Sequence, residues 1–152
     1  TETGGGRIVD QLFAGLVAYK KDGSIVNEVA KSITSADNLV WTVKLNDDWT
    51  FSDGTPVTAN SFVDAWNYVA LSTNKQLNSY FFYPIAGFDD AQAEDPKVKT
   101  LSGLKVVSEG VGTREQLEFL DARGCHCFQG YWVSKPLPPA RFVEFLRTRT
   151  TQ

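Results

Sequence analysis

The chain has 152 residues, 42% of them hydrophobic and including ten Phe and four Trp, which is enough apolar material for one domain with a core and argues against disorder. Fifteen basic residues against eighteen acidic ones give a formal charge of −3, and the basic residues gather only between Arg141 and Arg149, so a nucleic-acid-binding role is excluded. No apolar run approaches the roughly 18 residues of a membrane span, and Thr1-Glu2-Thr3 does not open a secretory signal, which leaves a processed exported chain open.

In chain order, Gly4-Gly5-Gly6 reads either as a linker or as a turn that lets the backbone approach another element, and Ile8, Leu12 and Phe13 after it share a helical face. Leu16 to Tyr19 reads as a short strand, joined through an Asp22-Gly23 hairpin turn to Ile25-Val26. The alternation of Leu39, Trp41, Val43 and Leu45 predicts a strand with one well-buried side. Thr58 is placed to cap a helix over 59–71, whose Phe62, Trp66 and Val69 face the core while Ala65 permits close packing. Tyr80-Phe81-Phe82-Tyr83, followed by Pro84 and Gly87, predicts an irregular segment anchored on the core, and residues 89–97 read as polar and exposed.

Further on, Leu104, Val106 and Val107 form a short apolar strand. Thr113 and Gln116 make a capping box for a helix ending near Gly124. Residues 128–133 predict another strand, and Pro139 opens a final helix whose apolar face holds Phe142, Val143, Phe145 and Leu146, with Arg147 and Arg149 at its C-terminal end.

Two resemblances meet near Gly103-Leu104-Lys105-Val106-Val107. The ordered motifs Glu2-Thr3-Gly4-Gly5-Gly6-Arg7, Leu12-Phe13-Ala14-Gly15-Leu16, Trp41-Thr42-Val43-Lys44-Leu45 and Ser52-Asp53-Gly54-Thr55-Pro56-Val57-Thr58-Ala59 resemble the dipeptide/oligopeptide-binding family of ATP-driven importers. Asn67, Asn78 to Tyr83 and Gly87-Phe88 extend that likeness, which covers residues 1 to about 107. It implies extracytoplasmic ancestry and noncatalytic binding of a peptide-like solute between lobes of a larger protein. It makes Thr3, Gly5 and Arg7, in a turn toward the cleft, and Tyr80, Phe81 and Tyr83 the candidate residual ligand-binding residues.

Residues 103 to 147 resemble the C-terminal part of an EAL-type cyclic di-GMP phosphodiesterase. The likeness rests on Gly103 to Val111, Thr113, Glu115-Gln116-Leu117, Leu120, Gly124-Cys125, Gln129-Gly130-Tyr131 and Ser134 to Pro138. It implies cytoplasmic ancestry and a β-α-β-α piece of a TIM-like barrel, with Glu109 at the metal-assisted hydrolytic site and Gln129 near nucleotide. The namesake acidic motif, the Asn-containing metal motif, the paired aspartates and the lysine of that family are absent from this chain, and Gly112 stands where an acidic residue is expected. Glu109 and Gln129 are therefore vestigial positions.

The expected fold is α+β or α/β: one small mixed sheet with covering helices, combining a periplasmic-binding-protein subdomain fragment with a barrel-derived fragment. Residues 1–107 and 103–152 are expected to pack as one globular unit with the seam at 103–107. The strand after the seam leads away from its family course, so the sheet retains an incomplete edge through which the chain can self-associate. Cys125-His126-Cys127 offers adjacent side chains that do not converge on one metal, the two thiols are read as free, and Gly4-Gly5-Gly6 lacks the lysine of a phosphate loop. The expectation is a noncatalytic chimeric or segment-swapped protein without cofactor, metal or parental activity. The alternatives are a residual peptide-binding or protein-interaction module and a degenerate cyclic-dinucleotide-binding fragment.

Overall fold

The computed structural model describes residues 3–122, 125 and 127–149, with the side chains of residues 3, 4, 7 and 149 outside the description. The chain divides into two units, Thr1–Phe62 and Val63–Gln152.

The first unit opens with α1 (Thr3–Leu12), so the glycine run lies inside a helix instead of forming a linker or turn. Ile8, Val9 and Leu12 on it, and Phe13 just past its end, are all exposed. Two antiparallel hairpins follow, β1 (Val17–Tyr19) with β2 (Ile25–Asn27) and β3 (Ala30–Ser35) with β4 (Trp41–Leu45). The first turn is the one expected, with Gly23 at φ 82° and the Asp22 carboxylate accepting from Ser24 N at 2.9 Å. In the second, Asp37 accepts from the N–H groups of Val40 and Leu39, and these bonds hold its carboxyl below the usual range. Val29 and Ala30 are buried at the base of the hairpins, where Gly15 N donates to Glu28 Oε2 at 3.1 Å.

The expectation of a buried side on β4 fails. Trp41 is 55% and Val43 40% exposed, and Leu39, outside the strand, is 84% exposed. Alternation sorts side chains onto two faces, but only a second layer buries one of them.

The boundary between the units falls within α2 (Ala59–Ala70). At its start, Ser61 Oγ accepts from Thr58 N at 3.0 Å, the reciprocal half of a capping box with serine in place of glutamate. In the second unit, Ala70, Ala91 and Leu101 form the core, with Phe82, Ile85, Phe88 and Leu104 packed on it. Trp66 meets Phe82 at 6.0 Å between ring centroids. Asn67 Oδ1 accepts from Leu101 N at 2.8 Å, and Gln92 Nε2 donates to Ala70 O. Residues 89–97 are mostly exposed, as their polar character predicts, with one exception: α3 (Phe88–Gln92) buries Ala91, a single small residue that hydropathy patterning does not register.

Beyond the core come β5 (Val107–Ser108), α4 (Arg114–Asp121), β6 (Cys127–Phe128) and α5 (Pro139–Arg149). β5 and β6 are parallel, Val107 opposite Cys127 and Ser108 opposite Phe128, as a right-sized helical crossover requires. The Thr113–Gln116 capping box is complete in both directions. Gly124, the expected helix end, lies outside the described residues.

The single mixed sheet is overturned. Among the described residues there are three separate two-stranded sheets, β1-β2, β3-β4 and β5-β6, and no sheet closes into a barrel, so a TIM-barrel fragment is not what the tail forms. Two local events account for this. Leu104 turns into the core instead of extending a strand, leaving only Val107 and Ser108 to pair. The strand expected over 128–133 stops at Phe128, because Trp132 N donates back to Val111 O at 3.0 Å and Val133 N to Gly130 O at 3.0 Å, folding the chain into a turn.

Candidate functional site

A concavity lies in the second unit, where β5 and β6 end. Gln129 N donates to Ser108 O at 2.8 Å and Val111 N to Gln129 O at 3.1 Å, continuing the parallel pairing past the strands. This interlock brings Glu109 and Gln129, twenty residues apart in sequence, to one groove of about 730 Å³. Ligands of α/β folds commonly sit beyond the carboxyl ends of parallel strands, the position this groove occupies.

The groove walls are Phe128, Tyr131, Val133, Leu137 and, from α5, Phe142 and Phe145. Among the described residues Glu109 is the one acidic residue lining it and Lys135 the one basic residue, its Nζ 5.9 Å from the centre of the Tyr131 ring. Gly112, where the likeness calls for an acid, instead donates its N–H to Gln116 Oε1 at 2.8 Å and so belongs to the start of α4. Glu115 on the same turn is held below the usual carboxylate range by its own backbone N–H and the Thr113 hydroxyl, but it does not line the groove.

Metal-assisted phosphodiester hydrolysis needs several oxygen ligands around divalent ions. Among the described residues no group of three or more His, Cys, Asp or Glu could hold a metal ion. Cys125 is buried, with Sγ 3.2 Å from Ser108 Oγ, whereas Cys127 is exposed on β6. His126 lies outside the described residues. A cation entering the groove would meet one carboxylate among the described residues, that of Glu109.

The other candidates stand elsewhere. Gly5 is exposed within α1, Glu2 lies outside the described residues, and so do the side chains of Thr3 and Arg7. In the second unit, a 3-10 turn over Ser79–Phe82 sends Phe82 inward, while Tyr80, Phe81 and Tyr83 are 58, 66 and 74% exposed. Tyr80 and Phe81 stack with centroids 4.5 Å apart. Sequence reasoning missed the aromatic wall of the groove, since Phe142 and Phe145 read only as an apolar helix face.

Comparison with known proteins finds two distinct signals on mostly separate stretches. The model of the bacterial extracellular solute-binding proteins, family 5 middle, matches residues 24–117, and that of the EAL domain matches residues 100–136. The periplasmic murein peptide-binding protein MppA of Escherichia coli K12 is 41% identical over 133 residues, 87% of this chain and 22% of that protein. The periplasmic oligopeptide-binding protein OppA of the same strain is 40% identical over 100 residues, 64% of this chain and 18% of that protein. The cyclic di-GMP phosphodiesterase NbdA of Pseudomonas aeruginosa PAO1 is 57% identical over 44 residues, 29% of this chain and 6% of that protein. A solved structure of E. coli MppA aligns with a TM-score of 0.58 at 26% identity, over 68% of this chain and 24% of that one. The unliganded open form of MppA gives 0.53 at 33%, over 56% and 17%. The chain thus spans about a fifth of the length of the solute-binding relatives it matches and carries an EAL-like segment after them. With 24–117 matched by the family model, the chain belongs to the bacterial extracellular solute-binding proteins of family 5.

Proposed function

We propose that these 152 residues form a noncatalytic structural segment, a piece of solute-binding subdomain running into a degenerate EAL-like βαβα unit, with neither parental activity retained. The observation that carries this reading is the groove's composition: among the described residues Glu109 is its single carboxylate, between walls that are mostly apolar. One carboxylate cannot hold two ions and orient the attacking water between them. The scale of burial supports the same reading. Among the described residues the buried hydrophobic ones are Val29, Ala30, Ala70, Ala91, Leu101, Val111 and Cys125, and Leu101 is the largest side chain fully buried. A high-affinity cleft needs walls held rigid by packing, which so small a core does not supply. The open edges of the three two-stranded sheets and the exposed apolar faces instead favour covering by further polypeptide.

Incubation with cyclic di-GMP and Mg²⁺ or Mn²⁺, followed by chromatography, is expected to yield no linear dinucleotide. Turnover that disappears in Glu109→Gln would overturn the reading. Calorimetric titration with di- to pentapeptides is expected to give no saturable heat.

The outward stack of Tyr80 and Phe81 favours a second reading, a residual peptide-binding or protein-interaction module. Saturable peptide binding that is lost on Tyr80→Ala, Phe81→Ala or Tyr83→Ala would establish it. The meeting of Glu109 and Gln129 in one groove is what a degenerate cyclic-dinucleotide binder would need; dinucleotide binding unchanged by Glu109→Gln and Gln129→Ala would remove that candidate.

A further inference from the structure

We propose that a second copy of this chain covers β4, the two strands pairing antiparallel about a two-fold axis at Val43. This rests on the reading above, that the exposed apolar faces are covered by polypeptide.

β4 pairs with β3 and with no other strand among the described residues, so its outer edge is open. Within Trp41–Leu45 there is no proline and no bulge, the register shift of the hairpin lying on β3 between Ala30 and Ser32, and Lys44 is the strand's one charged residue. An isolated two-stranded hairpin is marginal in water, and further strands with a shared apolar face stabilise it.

The strand is also complementary to itself. It is five residues long, so one antiparallel two-fold register pairs all of it, the register centred on its middle residue, Val43. That register sets Val43 opposite Val43, Trp41 opposite Leu45 and Thr42 opposite Lys44. Apolar side chains meet apolar ones on one face and polar meet polar on the other. Extended by one pair, it sets Val40 opposite Asn46, and by another, Leu39 opposite Asp47, so no like charges face each other across the axis. In the hairpin, Ile33 lies opposite Val43 and widens the apolar face. The product is a four-stranded sheet, β3-β4-β4-β3, in which Trp41 and Val43 gain cross-strand neighbours from the second copy.

The test is sedimentation equilibrium of the chain over a concentration series, with Val43→Lys, Val43→Glu and their equimolar mixture. The wild type is expected to dimerise. Either variant alone places like charges opposite each other and weakens dimerisation about tenfold or more. The mixture pairs Lys with Glu and is expected to restore the dimer, with native mass spectrometry showing one copy of each. Recovery in the mixture also establishes that both variants still fold. A wild-type dimer that neither substitution weakens, or a mixture that does not recover, overturns the β4 register while leaving covering through another face intact. A wild-type monomer at every concentration that also binds no apolar dye overturns both this inference and the reading beneath it.

Discussion

Truncating Leu101 to alanine is expected to destabilise the second unit by about 2–5 kcal/mol, enough to erase most or all of its folded baseline in urea. Leu101 is 2% exposed and forms one buried cluster with the small residues Ala70 and Ala91, against which Phe82, Ile85, Phe88 and Leu104 pack. The site cannot collapse to refill the space, because the backbone around it is pinned. Leu101 N is bonded to Asn67 Oδ1, and Gly103 N donates to Ala86 O at 2.9 Å. Gly87, at φ 86°, already lies so near Ser102 that an added Cβ would stand 2.7 Å from its backbone N. The near-UV circular dichroism of Trp66 against Phe82 reports the outcome. Leu101→Met, close in volume, is expected to cost less than about 1.5 kcal/mol. An alanine variant with an unchanged urea midpoint would mean that Leu101 is not the centre of the core.

The second large effect is expected at Gly130. A Cβ built there falls 2.1 Å from Val111 O and 2.3 Å from Val111 N, both backbone atoms that no side-chain rotation moves aside. Gly130→Ala must therefore force the turn away from Val111. That movement breaks the Val111 N to Gln129 O bond at 3.1 Å and the Trp132 N to Val111 O bond at 3.0 Å. Two lost bonds beside the buried Val111, plus the displacement, amount to about 3 kcal/mol or more. Hydrogen exchange gives the readout: the amides of Val111, Gln129 and Trp132 are expected to lose protection together and the groove with them. Unchanged protection at all three would contradict this packing.

What the sequence made legible was local. Asp22-Gly23 fixed the first hairpin turn, Thr113 with Gln116 the start of α4, and Pro139 the first position of α5, because in each case the deciding bonds lie within about four residues. Whether β1 to β6 would join one sheet depended on long-range pairing that alternation does not encode. The chain spent Leu104 on the core and bent at Gly130, leaving β5 and β6 two residues each. The exposed face of β4 was misread for a related reason: Trp41 and Val43 carry the pattern of a buried strand, as in a protein with a further layer over it.

The candidate site shows the same division. Glu109 and Gln129 were identifiable through family likeness, and the structure sets them on one groove. Its aromatic wall was not legible, since nothing in Phe142 or Phe145 alone says which surface α5 will line.

We propose that this segment of a solute-binding protein, with its EAL-like continuation, holds too small a core to preorganise a working site. Differential scanning calorimetry at low concentration tests it most directly. A fully packed 152-residue protein would absorb about 105 kcal/mol on unfolding near 60 °C, at roughly 0.7 kcal/mol per residue. The expected result is a broad transition with well under half that enthalpy. A single sharp transition carrying the full value would contradict so small a core.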